Sequence, residues 1–277
     1  MSITLESGIT LNNGEVIPQL GLGVYQMPDS PATVVTITEA LNCGYRHLDT
    51  ASLYGNEREV GAAVRGCGLA RSDVFVVTKL WNADHGYDRA IRAFHRSLAL
   101  LGLDYVDLYL IHWPVQGGRL ESWRALETLW EEGKCTSIGV SNYMVQHLEE
   151  VMGTARVVPA VNQIEIHPFI YLRRKSVIDL CREAGICVTC YSPLTKGVRL
   201  GDSGLGALAE KYRRSSAQML IRWCLQKGFV TIPKSAQVAR IRENATVYDF
   251  NISDEDIAAM DEMNEGYSCT WDPGDEP

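Results

Sequence analysis

The chain has 277 residues, of which 46% are hydrophobic and 22% are charged, and its formal net charge is −8. This acidic balance argues against general binding to nucleic acids or anionic membranes, because both require a basic protein surface. No apolar run reaches the roughly 18 residues that a membrane-spanning helix needs. The first 18 residues lack the basic and apolar regions of a signal peptide, so we expect a cytoplasmic protein.

The first predicted element is a β-hairpin over residues 11–17, with a turn at Asn13-Gly14, a dipeptide typical of two-residue hairpin loops. Eight short β-rich runs follow. Most of them are almost continuously hydrophobic, as expected of strands that are covered on both faces. The runs span residues 19–24, 46–50, 74–80, 106–113, 136–141, 160–166, 187–193 and 229–235.

Segments with helical spacing separate these runs. The first predicted helix lies between Pro31 and Gly44, residue types favoured just inside a helix start and just beyond a helix end. Residues 204–212 form an additional helix, and Ser215 or Ser216 caps the helix after it. Two more helices follow the last strand, over residues 237–245 and 253–264, and the second begins with a variant capping box, Ser253 and Asp256.

Strands that alternate with helices predict a parallel sheet with right-handed crossovers. For this length we favour a closed (β/α)8 TIM barrel, an α/β fold, with an N-terminal hairpin and extra C-terminal helices, as a single domain over residues 1–277. An open doubly wound sheet is the alternative. Its dinucleotide-binding fingerprint needs three spaced glycines, and residues 21–27 lack the third.

The eight cysteines are scattered, mostly inside apolar segments. Cys187 and Cys190 form a CxxC pattern, which can indicate a redox or zinc site. They lie in a strand-like run, where residues three apart point to opposite faces, so the two thiols do not converge. We therefore predict buried free cysteines and no metal site.

Polar residues follow the apolar part of most predicted strands, at the carboxyl ends where barrel enzymes place their chemistry. A lysine there loses hydration, which is costly unless the lysine is paired, so a structural ion pair between Asp49 and Lys79 is one interpretation. Tyr54 favours a catalytic one. A phenol has a pKa of about 10, and we expect the Lys79 ammonium to lower it.

His112 adds an imidazole at the end of the fourth strand. A phenol, an ammonium and an imidazole suit protonation of a carbonyl oxygen while hydride reaches the carbon, and only a nicotinamide cofactor supplies hydride. Ser141, Asn142 and Gln163 have the donors and acceptors to hold its carboxamide. Tyr191 is equally compatible with stacking on the nicotinamide ring and with core packing.

The chain resembles the aldo-keto reductase family over essentially its whole length. The matching motifs occur in the family's order, at residues 44–57 (GYRHLDTASLYGNE), 78–82, 103–114, 138–142, 161–168, 191–194 and 232–244 (IPKSAQVARIREN). The resemblance implies NADPH-dependent reduction of a small aldehyde or ketone by a monomer. It also implies that Tyr54 is the proton donor and that the catalytic residues are Asp49, Tyr54, Lys79 and His112.

The resemblance implies two further sets of contacts. Lys234, Ser235 and Arg240 would hold the 2′-phosphate of NADPH, and Glu243 and Asn244 would reach the adenine. Without the family, a solvated basic helix face would be the favoured interpretation of the basic pair. The remaining implied cofactor contacts are Gly23, Val24, Asp49, Ser141, Asn142, Gln163, Tyr191, Ser192, Pro193 and Leu194. The implied substrate contacts are Tyr25, Trp81, His112 and Trp113.

The pattern is most similar to the branch that includes 2,5-diketogluconate reductases and protozoal prostaglandin F synthases. Two other functions stay open at the level of the sequence. One is a non-catalytic, nucleotide-sensing subunit with the same fold, and the other is a different barrel enzyme, such as a hydrolase with paired carboxylates. Consumption of NADPH with an aromatic aldehyde separates the sensing subunit from a reductase, whereas a hydrolase would be active without nicotinamide and would tolerate Tyr54→Phe.

Overall fold

A computed structural model describes residues 4–276, which form a small hairpin and an eight-stranded parallel sheet. The hairpin pairs β1 (Gly8–Thr10) with β2 (Val16–Pro18), as predicted. Gly14 in its turn has φ of +91°, a conformation that glycine adopts without steric cost. The Asn13 side chain donates to the Thr136 carbonyl at 3.0 Å, so the hairpin covers the amino-terminal end of the large sheet.

The eight strands of the large sheet lie in chain order, and neighbouring strands are parallel. Parallel bridges between Leu20 and Thr231 and between Gly23 and Lys234 join the first strand to the last, which confirms the predicted (β/α)8 barrel. The strands are β3 (Leu22–Gly23), β4 (His47–Asp49), β5 (Phe75–Leu80), β6 (Val106–Ile111), β7 (Cys135–Ser141), β8 (Val161–Glu165), β9 (Cys187–Tyr191) and β10 (Val230–Thr231).

Helices surround the sheet. The predicted additional helix is α7, and two helices follow the last strand, as predicted. Ser215 rather than Ser216 caps α8. The helices are α1 (Pro31–Asn42), α2 (Glu57–Gly66), α3 (Tyr87–Leu101), α4 (Arg119–Glu131), α5 (Val145–Met152), α6 (Lys175–Glu183), α7 (Ser203–Tyr212), α8 (Ser216–Gln226), α9 (Val238–Ala245) and α10 (Asp254–Asp261).

The first and last strands are shorter than predicted, because β3 and β10 contain two residues each. Pro233 has no amide hydrogen, so the last run cannot continue a regular ladder. The first and last strands are joined instead by isolated hydrogen bonds. For example, the Gly23 amide donates to the Pro233 carbonyl at 3.3 Å. A Cβ on Gly23 would lie 2.8 Å from the Ile232 carbonyl oxygen, so this close approach requires glycine.

The predicted capping box at α10 forms only in part. The Ser253 hydroxyl accepts a hydrogen bond from the Asp256 amide at 3.2 Å, as predicted. The Asp256 carboxylate does not return to the Ser253 backbone. It accepts hydrogen bonds from the Ser253 hydroxyl at 2.9 Å and from Lys211 and Tyr212 on α7, and the Ser253 amide donates to the Tyr212 hydroxyl at 2.9 Å instead.

Two apolar layers make up the core, one between the sheet and the helices and one inside the barrel. Phe75, Val77 and Leu108 belong to the inner layer. Because side chains alternate along a strand, Lys79 extends the row of Phe75 and Val77, and His112 extends the row of Leu108. The alternation therefore directs both polar side chains into the barrel, above an apolar plug.

All eight cysteines are free, but the prediction that they are buried is right only for Cys135, Cys181, Cys190 and Cys224; the other four are partly exposed. None of the helices between residues 4 and 276 combines the length and hydrophobicity that crossing a bilayer requires.

Candidate active site

Asp49 and Lys79 form a buried ion pair at the carboxyl ends of β4 and β5. Lys79 Nζ lies 2.6 Å from Asp49 Oδ1, and the two side chains are 2% and 0% exposed. The ammonium also donates to the Thr50 carbonyl at 2.8 Å and approaches the Tyr54 hydroxyl at 3.5 Å. A lysine has three protons to donate, so these three oxygens can satisfy it completely.

The other carboxylate oxygen of Asp49 contacts a strand on the opposite side of the barrel. Gln163 in β8 donates from Nε2 to Asp49 Oδ2 at 2.7 Å. Both oxygens of the buried carboxylate are therefore bound, which holds Lys79 in position.

A short 3-10 turn at Ser52–Tyr54 positions the tyrosine. Asn56, which is fully buried, donates to the carbonyls of Val24 and Met27 at 2.9 and 3.1 Å. The Ser52 hydroxyl donates to the Lys79 carbonyl at 3.0 Å. These bonds tie the loop to the barrel, and they explain why Tyr54 points to the ammonium.

The predicted lowering of the Tyr54 pKa is wrong. Tyr54 is partly exposed towards a cavity, yet it sits deep enough among protein atoms that burial raises its pKa well above 10, and the Asp49 carboxylate adds to the rise. Asp49 offsets the effect of the Lys79 ammonium on the pKa of Tyr54, because Asp49 lies closer to Lys79 than Tyr54 does. Tyr54 is therefore protonated at neutral pH and has a proton to donate.

His112 directly follows β6, and its ring packs edge-on against Tyr54 and Trp81, with centroid distances of 5.7 and 5.3 Å. Burial, helped by the Lys79 charge, holds the pKa of His112 well below its usual value, so the imidazole is neutral. Its Nδ1 has no hydrogen-bond partner among residues 4–276. The ring is therefore poised to orient a polar group rather than to carry charge.

The residues predicted for the carboxamide lie together. Tyr191, at the end of β9, donates from its hydroxyl to Asn142 Oδ1 at 2.7 Å, and Asn142 Nδ2 donates to the His112 carbonyl at 2.9 Å. The Ser141 hydroxyl donates to the Gln163 carbonyl at 2.8 Å. This network links strands β6 to β9 on one side of the Tyr54 hydroxyl.

A cavity of about 1120 Å³ opens above these groups. It runs from the aromatic side chains of Tyr25, Trp81 and Trp113 to the start of α9. Of the residues predicted to be catalytic or to bind cofactor or substrate, it is lined by Gly23, Tyr25, Asp49, Tyr54, Trp81, His112, Trp113, Ser141, Asn142, Gln163, Tyr191, Ser192, Pro193, Leu194, Lys234, Ser235, Arg240, Glu243 and Asn244.

Two predicted residues do not line the cavity. Lys79 is covered by its neighbours, so it can act only through Tyr54. Val24 is buried in the core between the sheet and the helices, and its amide donates to the Asp49 carbonyl at 3.1 Å.

The far end of the cavity carries cations. Lys234 and Arg240 are exposed at its edge, and neither forms an ion pair within the part of the chain that the structure describes. Ser235 between them is buried, and its hydroxyl accepts from the Gln237 amide at 3.1 Å at the start of α9. Two uncommitted cations beside a helix start suit a phosphate group.

Residues 19–204 and 202–265 match the model of the Aldo/keto reductase family. The chain belongs to this family. It is 44% identical to the 9,11-endoperoxide prostaglandin H2 reductase of Trypanosoma cruzi over 268 residues, which cover 96% of this chain and 94% of the relative. The glyoxal reductase of Bacillus subtilis is also 44% identical, and the match covers 95% of each protein.

A crystal structure of a Gox0644 mutant in complex with NADPH is 39% identical to this aldo/keto reductase. The two structures agree with a TM-score of 0.91 over 98% of this chain and 99% of that one. These similarities confirm the predicted family, the prediction of an NADP-dependent oxidoreductase and the choice of NADPH as cofactor.

The sequence analysis missed several residues that line the cavity. Thr270 and Trp271 come from the C-terminal tail, and the Trp271 ring lies 4.8 Å from the Trp113 ring between centroids. Lys196 and Ser216 belong to a loop and to a helix start. Their own segments carry no pattern that indicates a ligand. Trp271, however, is an isolated tryptophan in a polar tail, and that was a usable signal.

Proposed function

We propose that this aldo/keto reductase reduces aldehydes and ketones to alcohols, with Tyr54 as the proton donor. The observation that carries the proposal is the position of the Tyr54 hydroxyl, 3.5 Å from the buried Lys79 ammonium, facing a cavity of about 1120 Å³. A hydrolase with paired carboxylates is disfavoured, because Asp49 is bound on both oxygens and faces a lysine.

The residues around the cavity fit NADPH, which supplies a hydride to the substrate carbon when it is bound. Ser141, Asn142 and Gln163 would hold the carboxamide, and Tyr191 would lie against the nicotinamide ring. The segment Ser192–Leu194 would continue along the dinucleotide, with Gly23 opposite.

Lys234, Ser235 and Arg240 would hold the 2′-phosphate, and Glu243 and Asn244 the adenine. Lys234 and Arg240 form no ion pair with any carboxylate among residues 4–276, which supports this assignment, because a doubly charged phosphate would otherwise meet an acidic protein.

Four side chains would handle the proton. The Tyr54 hydroxyl and the neutral His112 ring face the position of a carbonyl oxygen between them. As negative charge develops on that oxygen, the Tyr54 O–H bond breaks and the proton moves to it. Lys79 then stabilises the phenolate by charge and hydrogen bonding, and Asp49 keeps Lys79 charged and in place.

The decisive experiment is Tyr54→Phe, which removes the acidic proton and leaves the ring. We expect turnover of NADPH with an aromatic aldehyde to fall by roughly 10²–10⁴-fold, the usual contribution of a positioned acid. NADPH affinity, measured by quenching of tryptophan fluorescence, should change less than about twofold because the hydroxyl handles only the carbonyl oxygen.

Tyr87→Phe is the matched control, because Tyr87 is an exposed residue on α3 whose hydroxyl contacts Thr128. It should keep full turnover. Wild-type enzyme that binds NADPH but consumes none with a panel of carbonyls would favour the nucleotide-sensing alternative. Turnover that survives Tyr54→Phe would remove Tyr54 from the mechanism.

For the substrate we propose small or aromatic-bearing carbonyl compounds. Tyr25, Trp81, Trp113 and Trp271 give the mouth of the cavity an apolar, aromatic rim. The similarity to a glyoxal reductase supports the small end of this range, whereas the prostaglandin H2 reductase is named for an endoperoxide substrate and extends the candidates beyond carbonyl compounds. A panel of glyoxal, prostaglandin H2 and 2,5-diketogluconate, compared by kcat/KM, separates the candidates.

A further inference from the structure

A buried carboxylate lies where the C-terminal tail crosses the end of β8. Glu165 is 1% exposed, and its Oε1 accepts from the Cys269 amide at 2.7 Å and the Cys269 thiol at 2.8 Å. His167 Nε2 lies 3.1 Å from the same oxygen. The hydroxyls of Ser268 and Thr270 both donate to Oε2 at 2.6 Å. Five donors therefore converge on one side chain.

This arrangement leaves Glu165 crowded and without a cation. A carboxylate offers about four lone-pair positions, and the thiol is the weakest of its five donors. Between residues 4 and 276, no lysine or arginine forms an ion pair with Glu165. Buried charges in proteins are ordinarily paired or coordinated to a metal. Hydrogen bonds from the five donors described above meet the negative charge of Glu165.

The His167 ring supplies a second, independent observation. It is 0% exposed, and its Nδ1 has no hydrogen-bond partner within the described part of the chain. Coordination of a cation through Nε2 requires the ring proton to move from Nε2 to Nδ1, which replaces the hydrogen bond from Nε2 to Glu165 and meets no competing bond at Nδ1 within residues 4–276.

We propose that Glu165, His167 and Cys269 form a binding site for a zinc-like divalent cation. One carboxylate oxygen, one ring nitrogen and the sulfur all lie within 4.8 Å of one another. Zinc and cobalt accept this mixture of ligands, whereas magnesium and calcium require oxygen. Zinc bonds of about 2.0–2.3 Å put tetrahedral ligands roughly 3.5 Å apart. Glu165 Oε1 lies 2.8 Å from the Cys269 sulfur and 3.1 Å from His167 Nε2, so each of these two pairs needs to separate by less than about 1 Å.

The binding step involves no oxidation. The Cys269 S–H bond breaks, its proton leaves to water, and the thiolate sulfur bonds the cation. The Nε2 lone pair of His167 and one Glu165 oxygen complete three positions, and the fourth is open to water or a hydroxyl of the tail. Cys269 is partly exposed, so the cation can enter from the tail side.

The proposed site is separate from the proton donor, but the same tail carries part of the cavity rim. Lys196 donates to the Cys269 carbonyl at 2.7 Å, and Thr270 meets the Tyr191 hydroxyl at 3.1 Å. A bound cation would therefore fix the segment that places Trp271 beside Trp113. This inference does not depend on the proposed carbonyl reduction.

Cobalt(II) makes the site visible. Full-length protein, kept reduced by a phosphine and saturated with NADP⁺, is titrated with cobalt chloride. We expect one equivalent to give a near-ultraviolet thiolate-to-cobalt band and the visible bands of four-coordinate cobalt, both abolished by Zn²⁺. Tyr54→Phe should give the same spectrum, since the catalytic hydroxyl is not a ligand.

Cys269→Ser should remove the thiolate band, and His167→Gln should weaken binding at least tenfold. Cys67→Ser is the matched control, because Cys67 is also partly buried and its thiol meets only the Val64 carbonyl among the hydrogen bonds of residues 4–276. It should keep the band. Absence of the band in the wild type, or its survival in Cys269→Ser, would overturn the proposal. If His167→Gln does not fold, Cys269→Ser alone decides.

Discussion

At the residue scale, the site depends on how burial changes three titratable groups. Burial raises the pKa of Tyr54 and lowers the pKa of Lys79 and of His112. For Lys79, the contact with Asp49 opposes this effect and favours the charged form. The residue types alone predicted a phenol made acidic by an ammonium. The depth of the pocket reverses that direction, which cannot be read from residue types.

These pKa directions predict a flat pH profile for reduction. Tyr54 keeps its proton until pH rises above its raised pKa, and His112 stays neutral until pH falls below its lowered pKa. We therefore expect kcat/KM for an aldehyde, at saturating NADPH, to vary less than about twofold between roughly pH 6 and pH 8.

A control at each pH returns the enzyme to neutral buffer and checks that full activity is recovered, which excludes unfolding. A decline centred near neutral pH, present in the wild type and in Tyr87→Phe alike, would show that a catalytic group titrates there. That result would restore the prediction of an acidified phenol.

At the element scale, helix α9 presents two arginines with different surroundings. Arg240 lines the cavity, whereas Arg242 faces Glu39 at 3.1 Å on the other side. Both are exposed, so a loss of general positive charge would affect both variants equally. A comparison of Arg240→Ala with Arg242→Ala therefore tests whether Arg240 binds the 2′-phosphate or only adds positive charge to the exposed face of α9.

We expect Arg240→Ala to weaken NADPH by about 1.5–3 kcal/mol, the usual worth of a hydrogen bond to a charged group, or roughly 10–100-fold. NADH, which lacks the 2′-phosphate, should lose less than about twofold. Fluorescence titrations with both cofactors measure the ratio. Arg242→Ala should leave both affinities unchanged, and equal losses for NADPH and NADH in Arg240→Ala would show that Arg240 does not contact the 2′-phosphate.

The close contact between α2 and α3 allows a prediction about stability, because α2 contains one glycine inside the contact and one outside it. A Cβ on Gly61 would lie 1.8 Å from the Leu101 carbonyl oxygen, and a Cβ on Gly66 would meet nothing within 4 Å. Gly61→Ala must push the helices apart, so we expect a loss of roughly 1–3 kcal/mol in the free energy of unfolding.

Gly66→Ala should be neutral or stabilise by up to about 1 kcal/mol, since alanine is the better helix former and the site is open. Urea unfolding of both variants followed by circular dichroism gives the comparison. A Gly61→Ala protein as stable as the wild type would mean that the two helices are not packed this closely.

Most elements could be predicted from the sequence because their signals are local. The Asn13-Gly14 turn, the continuous apolar strands and the cap at Ser215 each depend on neighbours a few residues away. The errors fall where a distant contact takes over. The strands β3 and β10 shorten at the seam where they meet, and the Ser253 amide donates to Tyr212 on α7 instead of to the Asp256 carboxylate.

At the scale of the whole molecule, closure of the barrel assembles the site. Asp49 bonds Lys79 on the next strand and Gln163 in β8, 114 residues further along the chain. The cavity then runs from the tail to α9, with aromatic residues at one end and cations at the other. The single domain, the monomer and the cytoplasmic location stay predictions.

The sequence by itself determined the alternation of strands and helices and the residue types that carry the chemistry, because period and motif are properties of neighbouring residues. Tertiary structure decided the direction of the pKa shifts, the exclusion of Val24 from the cavity and the meeting of Glu165 with a tail 104 residues away. Those depend on which surfaces become buried together. Burial and long-range contact arise only when the closed barrel brings distant segments into one low-dielectric space.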